Sequence, residues 1–306
     1  MPLPVGLRLF LPEEWIKDPE RCAAAGVPEA AIVPRSKGEI ALAELDRLRA
    51  AGVRFGLVLR DGGYGASAGF RHGLDERGLR WAVGMPRNQK IHAPNVQLIP
   101  PTGRKRRPRP DQDPRPAEAV LAERTWRRVT WRHGTKGPLA ARFAAVRVRV
   151  GDGATFANNR HLPGEEVWLV GEWRSSGERK YYLSNLPPRT SRRALVAAIK
   201  ARWGCEQGHQ PLKQEPGLGH FEGRSWTGLH RHALMSCIAF AYLQHLRLAQ
   251  DRSARTGENV TSGSGTATIA QPAGRAPRHH PTAVRPPRRL GPMSPLQAQV
   301  SAATSY

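Results

Sequence analysis

Cysteine is nearly absent. The chain holds three, Cys22, Cys205 and Cys237, with no C-x-x-C pair, which excludes a disulfide scaffold and a zinc ribbon. Acidic side chains are scarce as well: 25 Asp and Glu stand against 48 Lys and Arg, a formal net charge of +23. Long apolar runs are missing, and the longest, Ala233 to Leu243, is roughly half of what a bilayer span needs. Near the start, Val5 to Leu11 is interrupted by Arg8 and followed by Glu13 and Glu14, which fits neither a signal nor a transit peptide. No G-x-G-x-x-G or P-loop occurs, so no nucleotide cofactor is expected. These absences leave a soluble, cytoplasmic protein with no membrane partner. What is plentiful is Gly, 31, and Pro, 27, beside a hydrophobic share of 39%, which predicts a core with a substantial irregular fraction. The surplus of cations points to a polyanionic partner, nucleic acid first.

Alternating apolar residues predict a strand over Val5 to Leu11 that stops at Pro12. Ser36 to Ala51 reads as an amphipathic helix, with Ser36 and Glu39 at capping-box spacing and Gly52 ending it. Val53 to Leu59 is a short apolar segment of strand length, and it runs into Arg60-Asp61-Gly62-Gly63-Tyr64-Gly65. A helix, a buried strand and a Gly-rich turn in series are α/β grammar. A helix over Ala66 to Arg77 and a strand over Leu79 to Met85 continue it. Residues 100–116 are Pro- and Arg-rich and read as a flexible connector. Strand signals return at Phe143 to Val150, with Gly151-Asp152-Gly153 as a turn, then at Val167 to Val170 and Lys180 to Leu183, an antiparallel β unit. Thr190 to Trp203 is a helix capped by Ser191 or Thr190, and Trp226 to Leu248 is a long apolar helix expected in the core. After about Ser253 periodicity disappears, and a disordered basic tail is expected.

Three constellations could carry chemistry. Asp61 closes an apolar strand, and ligands in α/β sheets collect beyond the carboxyl ends of strands, where a carboxylate can hold Mg2+. The same pattern also fits a plain Asp-Gly turn. Arg202, Glu206 and Lys213 fall on one helical face, a carboxylate flanked by cations, which suits a metal-bound phosphate and equally a solvated salt-bridged face. Residues 104–132 hold ten Lys and Arg, among them Arg104, Lys105, Arg106 and Arg107, against four acids. Tryptophans 126, 131, 168 and 173 are interleaved with or follow them. Cations neutralise phosphate and aromatic faces stack unpaired bases, although tryptophans also fill small cores. His209, His220, His230, His232 and Cys237 match no zinc spacing.

The stretches LFLPEEWIKDPERCAAAGVP, RFGLVLRDGGYG, TWRRVTWRHGTKGPLAARFAAVRV, GEEVWLVGEWR, RKYYLSNLP and RWGCEQGHQPLKQEPGLGHFEGRSWTGLHRHALM follow one another in order. Over roughly residues 6 to 250 the chain resembles bacterial insertion-sequence transposases of the DDE superfamily. The resemblance implies a ribonuclease-H-like catalytic domain: an α/β mixed sheet flanked by helices, here with its first strands missing, a β-rich insertion and a disordered C-terminal tail. It implies a division into residues 1–100, a partial core with the second catalytic aspartate; 101–188, a basic linker and insertion; 189–250, the helical return with the catalytic glutamate; and 251–306, the tail. Asp61 is similar to that aspartate and to a metal ligand. Glu206 is similar to the glutamate of the pattern Y-x2-R-x3-E-x6-K, with Arg202 and Lys213 at its R and K. Trp126 or Trp131, with Trp168 and Trp173 as alternatives, would stack a flipped base. The implied chemistry uses Mg2+ or Mn2+ held by three carboxylates to cut and join DNA at terminal inverted repeats. The implied partners are DNA and either a second copy or an intact transposase.

The chain departs from that family in four respects. The first catalytic aspartate lies upstream of the LPEEW block in the family, and only ten residues precede the block here. Ile199 stands at the motif's Tyr. Gly204, Gly208 and Pro211 should weaken the catalytic helix, Pro by about 3 kcal/mol in a helix interior. The tail no longer resembles the family. These departures predict a truncated, inactive copy. The competing readings are a non-catalytic DNA-binding remnant that occupies transposon ends or inhibits an intact enzyme, and a general RNA-binding protein resting on charge alone.

Overall fold

A computed structural model describes residues 2–103, 107–134, 137–158 and 160–256. The expected tail beyond Thr256 lies outside the described residues, while residues 251–256, assigned to that tail, continue the last helix.

The expected strand at Val5 to Leu11 does not form. Its alternation is interrupted by Arg8, whose Nε lies 2.8 Å from the buried Glu44 carboxylate, and Arg47 donates to the Val5 carbonyl at 3.2 Å. Side chains, not a strand ladder, hold this segment. Two short helices follow, α1 (Glu13–Ile16) and α2 (Pro19–Ala24), the second N-capped by Asp18. α3 (Lys37–Ala50) carries the reciprocal capping box of Ser36 and Glu39 and buries Leu45 and Leu48.

β1 (Val58–Arg60) is shorter than the expected Val53 to Leu59, because the Val53 amide closes α3 by donating to the Leu48 carbonyl. After β1 the Gly-rich segment winds into a single helical turn, α4 (Gly62–Gly65), and α5 (Ala68–Glu76) starts at a Ser67 cap. β2 (Trp81–Met85) is buried along its whole length.

The Pro-rich connector is not free of regular structure. Four short strands lie in or beside it: β3 (Lys90–His92), β4 (Leu98–Ile99), β5 (Arg109–Pro110) and β6 (Arg115–Pro116). Pro110 and Pro116 lie in sheet-edge strands, where a missing N–H is tolerated. α6 (Ala117–Ala122) then leads to β7 (Arg127–Gly134), β8 (Gly137–Ala157), β9 (Arg160–Trp173) and β10 (Arg179–Ser184). β8 runs straight through Gly151-Asp152-Gly153, so the expected turn there is absent, and the pairing with β9 absorbs those residues as register shifts.

Eight strands form one sheet in the order β1-β2-β10-β9-β8-β3-β6, with β7 also on β8. β1 and β2 are parallel, and every other pair in the sheet is antiparallel. A mixed α/β architecture with a large, mostly antiparallel sheet flanked by helices agrees with the ribonuclease-H-like expectation. The β unit shares the sheet with β1 and β2 through the β10–β2 pairing, Tyr181 opposite Met85 to Ser184 opposite Ala82. One apolar cluster, including Phe70, Leu74, Trp81, Val83, Ile91, Leu121 and Leu169, packs α3, α5 and α6 on the sheet. A second, with Phe143, Val170, Leu195, Val196 and Ile199, packs α7 (Arg192–Ala201) on it. Ser191 caps α7 as expected. Ile199 is thus a core residue, which accounts for an aliphatic side chain at that position.

α8 (Trp203–Gln214) is continuous through Pro211, contrary to the expected break. Pro211 removes one donor, but its carbonyl still accepts from Glu215 at 2.8 Å and the neighbouring Leu212 is buried. α9 (Trp226–Thr256) buries Ala233, Ser236, Phe240 and Gln244 on one face. It is not a core helix: Leu234, Met235, Ile238 and Tyr242 are 54–64% exposed on the other face. Among the described residues no helix is long and apolar enough to cross a membrane.

Candidate functional site

The position of Asp61 is set by backbone contact. A Cβ on Gly84 of β2 would lie 2.8 Å from the Gly62 amide nitrogen, and one on Gly65 would run into the Gly84 carbonyl. The glycines therefore let α4 rest directly on the β2 main chain, with no side chain between them. The Gly65 amide donates to the Asp61 carbonyl at 3.2 Å and closes the turn. Asp61 itself is exposed at the carboxyl end of β1.

Glu206 lies in the first turn of α8, and its Oε1 accepts from Arg202 Nη2 at 2.6 Å. Both side chains are largely in solvent, 34% exposed for Arg202 and 54% for Glu206. Lys213 is exposed in the last turn of the same helix. His209 sits between them and was not given a role by sequence reasoning. Burial holds its imidazole below the ordinary value, Lys213 adds to that, and Glu206 opposes it. Its Nε2 is buried without a hydrogen-bond partner. The i+3 and i+4 spacing from Glu206 to His209 to Lys213 could have shown this grouping.

A second glutamate was missed altogether. Glu172 on β9 is fully buried, and its carboxylate meets Lys200 Nζ at 2.5 Å, Arg174 Nε at 2.9 Å and the Tyr182 hydroxyl at 2.8 Å. Burial pushes this carboxyl up, but the hydrogen bonds from Lys200 and Arg174 outweigh it and hold it below the usual glutamate range. Lys200 is drawn below its ordinary value because burial outweighs the attraction of Glu172. Burial, reinforced by Glu172, raises Tyr182. Lys200 Nζ also lies 4.4 Å from the Trp131 ring centroid. The network fastens α7 to β7, β9 and β10, two residues before Arg202. An acid inside the apolar stretch WLVGEW was the available signal.

The tryptophans are engaged within the protein. Trp126 meets Trp173 edge to face at 5.9 Å and donates to the Leu121 carbonyl at 3.2 Å. Trp131 meets the buried Phe143 at 5.9 Å, and Trp168 donates to the Pro187 carbonyl at 3.0 Å. Arg107 donates to the Thr155 carbonyl. Arg104, Lys105 and Arg106 lie outside the described residues. Arg124, Arg127 and Arg128 are exposed at and beside the start of β7, and Arg132 stacks over Trp203 at 4.5 Å, joining β7 to α8.

Residues 1–138 match the family described as DDE superfamily endonuclease, which supports a DDE-superfamily domain there and DNA as the kind of partner. The match includes Asp61 and ends inside β8, so the sheet extends beyond it. No curated protein matches the chain. Endonucleases of this superfamily generally use divalent metal ions. The described side chains do not fit that requirement: no three His, Cys, Asp or Glu among them come together as a metal-holding group, and the Glu206 carboxylate is taken by Arg202.

Proposed function

We propose that this chain is a transposase-type DNA-binding protein that occupies transposon ends and does not cut DNA on its own. The match of residues 1–138 to a DDE superfamily endonuclease carries the DNA part of this reading. The pairing of Glu206 with Arg202 on an exposed helix face supports the non-cutting part, because a metal ligand needs its lone pairs free. The exposed Arg124, Arg127 and Arg128 supply phosphate contacts. In this reading residues 1–100 and 189–250 form the core, 101–188 the DNA-gripping insertion and 251–306 a basic tail. The DNA partners are terminal inverted repeats and target DNA, and the protein works in the bacterial cytoplasm at the nucleoid, as a homodimer or as an inhibitory dimer with an intact transposase.

The test is an electrophoretic and cleavage assay on inverted-repeat duplexes with Mg2+ or Mn2+. Salt-sensitive binding without cleavage, unaltered by Glu206→Gln or Asp61→Asn, is expected. Metal-dependent cleavage that either substitution abolishes would replace this reading with that of an active endonuclease. Equal affinity for unrelated RNA would favour the general RNA-binding reading.

A further inference from the structure

A cleft of about 620 Å3 opens beside α4, on the far side of the Gly65 turn from β1. Its floor is a buried ion pair. Arg71 of α5, 2% exposed, places Nη2 2.6 Å from the Asp152 carboxylate of β8 and donates from Nη1 to the Gly65 carbonyl. His72 Nε2 lies 3.6 Å from the same carboxylate. Two desolvated charges at the base of an open cleft are costly to keep, so they mark a shaped site more than an accidental surface dip.

The walls differ in kind. Ala66 and Pro86 give one apolar side. The turn after β2 presents Asn88, Gln89 and Lys90, whose side chains make no hydrogen bond or ion pair. Opposite stand Arg160, held by Asp113, and His161, whose Nδ1 is fixed on the Gly153 carbonyl at 2.9 Å. Behind Gly151, which lines the cleft, His92 is buried. Both its ring nitrogens are near the main chain of His161 and Gln112 without a well-formed hydrogen bond. Burial keeps that imidazole neutral.

The shape excludes a duplex, which is too wide for a cleft of this volume. A single unpaired nucleotide fits: a flat apolar wall for the base, two carboxamides for its polar edge, and a free ammonium with a guanidinium across the cleft for the phosphate. We infer that this cleft receives one unpaired nucleotide of a DNA strand, next to the turn that carries Asp61. The inference rests on the DNA-binding reading above and adds a preference for single-stranded ends that the exposed arginines alone would not produce.

Fluorescence anisotropy with the full chain separates the two. A blunt duplex and the same duplex with a four-nucleotide overhang are titrated at one salt concentration. The overhang should bind about tenfold tighter, the order expected from one stacked, phosphate-held nucleotide. Lys90→Gln combined with Asn88→Ala should erase that advantage while leaving blunt-duplex affinity within about twofold, and circular dichroism should be unchanged. In a second readout, an iodouracil in the overhang should photocrosslink to the peptide around Asn88 to Lys90 or Arg160 to His161. Equal binding of blunt and overhung DNA, or crosslinks confined to β7, overturns the cleft inference and leaves DNA binding standing. Failure to bind either duplex overturns both.

Discussion

The two glutamates that pair with cations in this chain lie in contrasting surroundings. Glu172 is sealed beneath α7 with three partners, and Glu206, only a few residues beyond α7, shares one arginine in solvent. The same division runs through the molecule. β2, β9 and β10 bury nearly every inward side chain, whereas α9 leaves Leu234, Met235, Ile238 and Tyr242 in water. Carboxylate–cation pairs that look alike in sequence therefore differ in consequence. Inside the sheet the pair is structural cement, and on α8 it is a local, screened contact.

The largest effect should come from the sealed pair. Lys200→Met leaves Glu172 short of its closest cation and should cost about 3 kcal/mol in urea unfolding, since breaking a buried pair exposes the survivor to full desolvation. A loss under 1 kcal/mol would show that Arg174 and Tyr182 suffice, and the contrast with Glu206 would narrow. Next is Gly65→Ala, which drives a methyl into the β2 backbone and should cost about 2 kcal/mol by overpacking.

Acid sharpens the contrast further. Glu172 titrates lower when folded than when unfolded, so its stabilisation is complete above the ordinary glutamate range and drains away as pH falls through the lowered folded value. Glu172→Gln should flatten that acid limb of the stability profile. On the exposed side, Arg127→Ala with Arg128→Ala should lower the slope of log affinity against log salt by about two, with little change in stability. The smallest effect belongs to Glu206→Gln, within about 0.5 kcal/mol of wild-type stability, the ordinary worth of an exposed i, i+4 pair.

Much of this fold could be read from short-range signals. Ser36 with Glu39, and Ser191, announced their helices because a cap is satisfied within three residues. β2 and β9 showed as apolar runs. The failures were long-range. Val5 to Leu11 alternates like a strand, but its Arg8 answers to Glu44, 36 residues away. Gly151-Asp152-Gly153 spells a turn, yet β9 and β3 on either side hold β8 extended through it. Pro211 spells a break that the packing of Leu212 overrides. For the candidate site, Asp61 and the Arg202–Glu206 pair were legible from local spacing. The cleft was not, because its floor joins Arg71 to Asp152, 81 residues apart.

β8 also has a mechanical side. From Arg142 to Arg149 it is locked in unbroken register with β9, and all three register shifts fall between Arg149 and Ala157. The strand is therefore a cantilever, clamped in the sheet as far as Arg149 and progressively compliant beyond it. Asp152, the floor of the cleft, and the partner residues Arg160 and His161 on its wall ride on the compliant end. Bending there changes the width of the cleft while the clamped length, and the core beneath it, stay still.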